Sequence, residues 1–550
     1  MNGKHRIFFA ALAVCLLLAL AACSREQEER DEDEAVLNLQ LDAEVSTLDP
    51  QAAVDSASFE VIALLMEGLY EIDENEQPVP AMAESVQVLD GGKTYQFTLR
   101  QAVWSDGTPV RAQDFVYGWR RGIDPENGNE NAGLFAAAGI ESADEILAGE
   151  CRTEKLGIEA ADDRTLVVRL EEPVPYFLSM LSLPVFYPMN ERFCENAGTA
   201  YGSSPDTVLS NGAFCLAEYE PAAQEILLEK NSSYWAKDAV ELDRIHYQVI
   251  KDSQTAVMAY ESGQMDMALL SGDQARNCRS RQDFRSIPLG SLWYLVPNLE
   301  VEELANQNLR MALALSYDKE EAASQVLGDG SRPAWGAVPS GAMYGPDGRD
   351  FRDQAETYLK TDKSLAAEYL KEAQKELNQE KFSFTLLIED TDAAQNLGQY
   401  LQAQISSALP DIEIELESVP KKMRLERMAQ GEFQIGLTRW GADYQDPLAF
   451  LNLWTGESAF NYGAWSSEAY DELIRQAQRE EMMSQPETRW DLLHQAEGIL
   501  MNQAGIFPVC EKANGILLSP KVMNAQFHAV GINRVWKYVR LAEAGKLNEE

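Results

Sequence analysis

Apolar residues recur along this chain at two spacings, and the spacing changes from segment to segment. In Val36–Leu41 (VLNLQL) they alternate with polar residues, the period of a strand with one buried face, and a turn follows at Ser46-Thr47-Leu48-Asp49-Pro50. Residues 57–70 (ASFEVIALLMEGLY) have helical spacing, with Gly68 as the expected stop. Alternation returns at Thr94–Leu99, then Trp104-Ser105-Asp106-Gly107-Thr108-Pro109 predicts a tight turn and 114–121 a helix. Short strands are expected at 165–170, 225–228 and 246–250, and a helix at 252–263. In the second half, 364–374 and 470–479 read as amphipathic helices. There the order strand 382–388, helix 397–409, strand 412–416 defines a βαβ unit. The pattern is mixed α/β, and no internal repeat points to a solenoid.

A length of 550 residues is enough for about three to four domains with real cores. The 89 acidic residues outnumber 46 basic ones, for a net charge of −43, which argues against nucleic acid or an anionic membrane surface as the main partner. At 45% hydrophobic and 9% aromatic the chain is not disordered, so the acid excess belongs on a folded surface.

The N-terminus sets an expected compartment. Lys4 and Arg6 precede an apolar run over 7–20 that is too short to span a bilayer, and Leu20-Ala21-Ala22-Cys23 resembles the lipobox of bacterial lipoproteins. The resemblance implies cleavage after residue 22 and lipid on Cys23, against the plainer reading of an ordinary secretory signal. Removing 1–22 takes away two bases, leaving 89 acids against 44 bases, or −45. Residues 24–35 (SREQEERDEDEA) hold seven acids and no large apolar side chain, which predicts a charged tether over 23–35. A calcium loop would need a Gly turn and spaced oxygens that this run lacks.

Apart from Cys15 and Cys23, the cysteines are Cys151, Cys194, Cys215, Cys278 and Cys510, an odd set without CxxC; Cys194 and Cys215 are the one pair considered for a bond. With only His246, His494 and His528 beyond the signal, there is little from which to build a metal or His-based catalytic site. No cofactor and no metal are expected.

Several motifs follow one another in a fixed order. They are Thr47-Leu48-Asp49-Pro50, Glu67-Gly68-Leu69-Tyr70, Pro78-Val79-Pro80-Ala81-Met82-Ala83-Glu84-Ser85, and Trp104-Ser105-Asp106-Gly107-Thr108-Pro109-Val110 with Gln113-Asp114-Phe115-Val116-Tyr117. Glu172-Pro173-Val174-Pro175-Tyr176-Phe177, Ser210-Asn211-Gly212-Ala213-Phe214, Tyr234-Trp235, Gly263-Gln264-Met265-Asp266, Trp440-Gly441-Ala442-Asp443-Tyr444 and Ile506-Phe507-Pro508-Val509 continue the series. Together they resemble the family-5 extracellular solute-binding proteins, which include the oligopeptide-binding proteins of bacterial ABC importers.

The resemblance implies a two-lobed, class II periplasmic-binding-protein-like α/β clamp with an inserted α+β subdomain. On that basis lobe I is expected at 36–55, 180–290 and 512–550, the subdomain at 56–179 and lobe II at 291–511. It further implies a monomeric receptor held to the membrane by lipid alone, which takes a peptide between its lobes and passes it to an ABC permease. An extended peptide would pair with backbone at Glu44-Val45-Ser46 and Arg439-Trp440-Gly441, by strand addition. Asp443 matches the carboxylate that holds the ligand's free α-amine, since a desolvated ammonium needs an opposite charge. Asp443 also reads as a turn residue before a helix, but Asp446-Pro447 already supplies a cap and first residue for a helical run to Trp454. Tyr117, Trp293 and Trp440 are candidate cleft aromatics, each with a core role as the alternative.

Three departures from the family pattern stand out. Gly290 and Gly441 occupy the places of a Cys pair that ties the lobes in some relatives. Met428 and Leu437 stand where basic residues help hold ligand carboxylates, and Cys510-Glu511-Lys512 replaces an aromatic run. The amine anchor is kept while the carboxylate end is rebuilt. Other classes fare worse: no GxSxG, P-loop, HExxH or Rossmann pattern supports an enzyme. A sensor or pheromone receptor of the same fold, or a non-peptide cargo, remains as an alternative role.

Overall fold

The computed structural model describes residues 34–220, 224–345 and 347–542. The expectations for the signal segment 1–22, for Cys23 and for most of the acidic run fall outside the described residues. Among those described, no helix is long and apolar enough to cross a membrane.

Val36–Leu41 lies parallel to Arg244–Val249, and its sheet continues antiparallel through Glu225–Lys230 to Phe214–Glu218. Leu37, Leu39 and Leu41 are fully buried and share a core with Tyr247 and with Trp536 from near the C-terminus. One lobe is thus assembled from widely separated parts of the chain. Between its first two parts lies an α+β unit. Its antiparallel sheet runs Ala83–Leu89, Thr94–Leu99, Thr165–Arg169, Ile158–Ala160, and the helix Ala112–Ile123 packs against the last two strands. Asp114 gives the turn-and-helix motif its structural role. Its buried carboxylate accepts from Trp104 Nε1 and from the Arg111 amide, both at 3.0 Å, and burial pushes its pKa up to about 6.

In the second lobe Phe382–Glu389 and Ile412–Val419 are parallel and joined by the helix Asp392–Ala408, the expected βαβ unit. The sheet continues through Ile435–Gly441 to two long antiparallel strands, Phe284–Pro297 and Phe507–Leu518. These two strands carry the chain from lobe to lobe. At one end Phe507–Leu518 pairs with Met267–Leu270, and the Asp266 amide donates to the Asn38 carbonyl of the first strand at 2.8 Å. A register shift between Pro288 and Ser291, opposite Ala513 and Lys512, separates the two ends. Gly290 sits in the shift at φ +52°, and a Cβ there would stand 2.8 Å from the Ala529 carbonyl oxygen.

Two expectations are corrected and one open pairing is answered. The helix expected over 57–70 is Ser56–Leu65; Met66 is already extended, and Tyr70–Ile72 is a strand. Gly68 does not cap it: a Cβ there would lie 2.7 Å from the Tyr187 ring and 2.8 Å from the Leu181 carbonyl oxygen, so close packing selects the glycine. The helical run expected to reach Trp454 is Leu448–Leu451 followed by a 3-10 turn, Asn452–Trp454. Cys194 and Cys215 are both free, the first beside Tyr117 and the second beside Ser105 and Ser210.

Candidate ligand-binding site

The Ile435–Gly441 strand pairs along its whole length with Phe284–Pro297 on one side. On the other side it meets Phe382–Glu389 only at Ile435 and Gly436. The outer edge from Leu437 to Gly441 therefore has no strand partner among the described residues, and such an edge is a template for another extended chain.

Just past that edge is Asp443. Its successors are all held. Tyr444 stacks on Tyr176 of the α+β unit with ring centroids 4.1 Å apart, and Gln445 Nε2 donates to Glu76 Oε2 at 3.0 Å. Buried Asp446 accepts two hydrogen bonds from buried Arg489, each 2.8 Å, and one from the Leu448 amide at 3.0 Å. Asp446 therefore does the capping expected of it. The Asp443 carboxylate, by contrast, has no hydrogen-bond or ionic partner among the described residues. Solvent reaches it, but it sits among enough protein for desolvation to raise its pKa above the ordinary aspartate value.

Beyond the first strand, Glu44, Val45 and Ser46 form a segment outside any sheet. Glu44 pairs with Lys251 at 2.7 Å, which holds its carboxyl below the usual range. The Val45 carbonyl accepts from the Tyr219 hydroxyl at 3.4 Å, and the Ser46 amide donates to Ser58 Oγ at 3.1 Å. The Val45 amide and Ser46 carbonyl are left without partners among the described residues.

Two adjoining cavities of about 270 and 450 Å³ share Asp42, Leu269, Lys512 and Asn514 as walls. The first adds Glu60 and Arg534 on one side and Ser291 and Arg439 on the other; the second adds Lys251 and Asp329. Asp443 lines neither cavity and lies four residues beyond Arg439.

Several candidate residues are placed otherwise than expected. Trp293 is 2% exposed and belongs to the lobe II core, covered by the Arg439 guanidinium 5.3 Å from its ring centroid. Tyr117 packs against the lobe I core beside Cys194 and Arg121, because its helix turns it to the seam with that lobe, and it lines neither cavity. Trp440 is half-buried, donates from Nε1 to the Ala449 carbonyl at 2.9 Å and packs edge-on against Phe460. Met428 and Leu437 are core residues at 1% and 0% exposure. The sequence reading missed Asp42, Lys251 and Arg534 as cleft walls, since no local motif marks them. Lys512 was visible only as a departure from the family pattern.

Two lobes linked by a pair of crossing strands, with a free strand edge and an unpaired carboxylate near the cleft, define a solute-binding clamp. The model for bacterial extracellular solute-binding proteins, family 5, matches residues 77–462, and the chain belongs to that family. It is 32% identical over 500 residues to the dipeptide-binding protein DppE of Bacillus subtilis, covering 90% of each chain. Among solved structures it is similar to Listeria monocytogenes OppA bound to peptide, with a TM-score of 0.71, 32% identity, and coverage of 93% of this chain and 100% of that one. It is also similar to the unliganded open form of the periplasmic murein tripeptide-binding protein MppA, with a TM-score of 0.81 at 26% identity, covering 94% and 98%.

Proposed function

We propose that this protein captures peptides between its lobes and delivers them to an ABC permease for import. The single observation that carries this reading is the unpartnered Asp443 carboxylate beside the free Leu437–Gly441 edge. An extended peptide added to that edge gains main-chain hydrogen bonds whatever its side chains, while its α-ammonium relieves the desolvated Asp443. On the lobe I side the Val45 amide and Ser46 carbonyl complete the backbone rail. Gly441 and Trp440 contribute backbone rather than a side-chain pocket, since the Trp440 indole N–H is already engaged.

In this reading 291–511 turns as lobe II against lobe I (36–55, 180–290 and 512–550), with the 56–179 subdomain attached, about the register shift at Pro288–Ser291. The protein is extracytoplasmic, tethered by lipid on Cys23 and the acidic run, and acts as a monomeric receptor without catalysis. Mass spectrometry of the solute that copurifies, followed by calorimetry with peptides of graded length, tests the proposal. It expects peptides in the first and length-dependent binding in the second. A non-peptide solute, with no binding of any peptide, would overturn it.

A further inference from the structure

The cations along the cleft are paired with one exception, on the lobe II wall. Arg534 holds Glu60 at 2.5 Å, Lys512 is paired with Asp329, and Lys251 with Glu44. Arg439 has no carboxylate or carbonyl partner among the described residues, although it lines the same cavity as Arg534 and Lys512. Its guanidinium lies over the Trp293 ring, whose near-complete burial fixes that platform. A stacked guanidinium keeps its in-plane N–H donors available, in the fork geometry that suits a carboxylate.

We infer that Arg439 is a carboxylate receptor of the cleft, so that the protein prefers peptides presenting an anionic carboxylate there, from an acidic side chain or from the peptide's own C-terminus. The inference rests on the reading that the ligand is a peptide. Arg439 and Asp443 are four positions apart, at most about 14 Å of extended chain, so a peptide of a few residues spans both. The zwitterionic ends of a short peptide, or its amine and one acidic side chain, then meet complementary charges on one strand and its following loop. The acid that competes for Arg439 is Asp42, exposed on the opposite wall of the cavity.

Calorimetry on the full chain tests this with four probes of one length: Ala-Ala-Ala, its C-terminal amide, Ala-Glu-Ala amide and Ala-Gln-Ala amide. Wild type should bind at least one carboxylate-bearing peptide about 10- to 100-fold more tightly than its neutral twin, and the twin pair shows which carboxylate is read. Arg439→Gln should bring that ratio close to one, and Arg439→Lys, which keeps charge but not the stacked fork, should leave it in between. Thermal melts of both variants check folding. A ratio near one in wild type, or a ratio kept in Arg439→Gln, overturns the inference while leaving peptide capture standing. An equal loss for all four probes in Arg439→Gln, reproduced by Asp42→Asn, also overturns it and makes Arg439 a closure contact with Asp42. No binding of any probe by wild type counts against both readings.

Discussion

Asp443 is set apart from its neighbours by what it lacks. Tyr444, Gln445 and Asp446 each have a firm partner, so the loop is held while the one carboxylate without a partner stays free for a ligand. Asp443→Asn removes one side of a charge pair that ligand and lobe closure would bury. It should weaken peptides with a free amine by about 2–5 kcal/mol and abolish their advantage over N-acetylated twins, as read by calorimetry. An advantage that survives the substitution places the amine elsewhere. A second residue carries a pH signature. Burial raises Glu511 from 4.5 to about 7, against the lowering effect of its hydrogen bond with Ser340. A carboxyl whose folded pKa is raised contributes stability that is present below its unfolded pKa and lost as pH rises through its folded one, here between about 4.5 and 7. Glu511→Gln should therefore be more stable than wild type by on the order of 2–3 kcal/mol at pH 8 and close to it at pH 5. Denaturant melts at the two pH values decide, and parallel profiles would show Glu511 ionised throughout.

At the scale of elements, the two crossing strands govern how the lobes sit. Gly290 combines a left-handed backbone with a carbonyl pressed against the space a side chain would take. Gly290→Ala should cost roughly 1–3 kcal/mol in thermal or denaturant unfolding, and unchanged stability would mean that the close approach relaxes freely. Elements with local signals were legible in the sequence. Asp252 caps its helix by accepting from the Thr255 amide, and the alternation of Thr94–Leu99 matches its buried and half-buried faces. The run through Gly68 was misread because that glycine answers to the Tyr187 ring, distant in sequence, and not to the helix end. For Trp293 and Tyr117 the packing favours the core alternative for the same kind of reason: which aromatic faces a cleft depends on strand pairing and helix orientation, which no single segment encodes. Asp443 and the strand before it were legible as a motif. The stack of Tyr444 on Tyr176 and the cationic wall of Arg534 and Lys512 were not, since their members come from parts of the chain far apart in sequence.

At the scale of the molecule, the net charge of −43 belongs to the surface, while the cavity shared by the two lobes is lined by Arg439, Lys512 and Arg534 against Asp42 and Glu60. Within that cavity Lys512 and Arg534 are paired with Asp329 and Glu60, which leaves Arg439 as its unpaired cation among the described residues. The α+β unit reaches lobe II through the Tyr176–Tyr444 stack. It reaches the C-terminal region through Glu76, which also accepts from Gln445 and pairs with His528 at 3.0 Å. The loop after Asp443 is therefore braced from outside lobe II. Closure on a peptide is the central claim, and small-angle X-ray scattering measures it directly. With the best-binding peptide of the graded series at saturation, the radius of gyration should fall from its peptide-free value as the lobes come together. An unchanged radius at saturation would contradict capture by lobe closure.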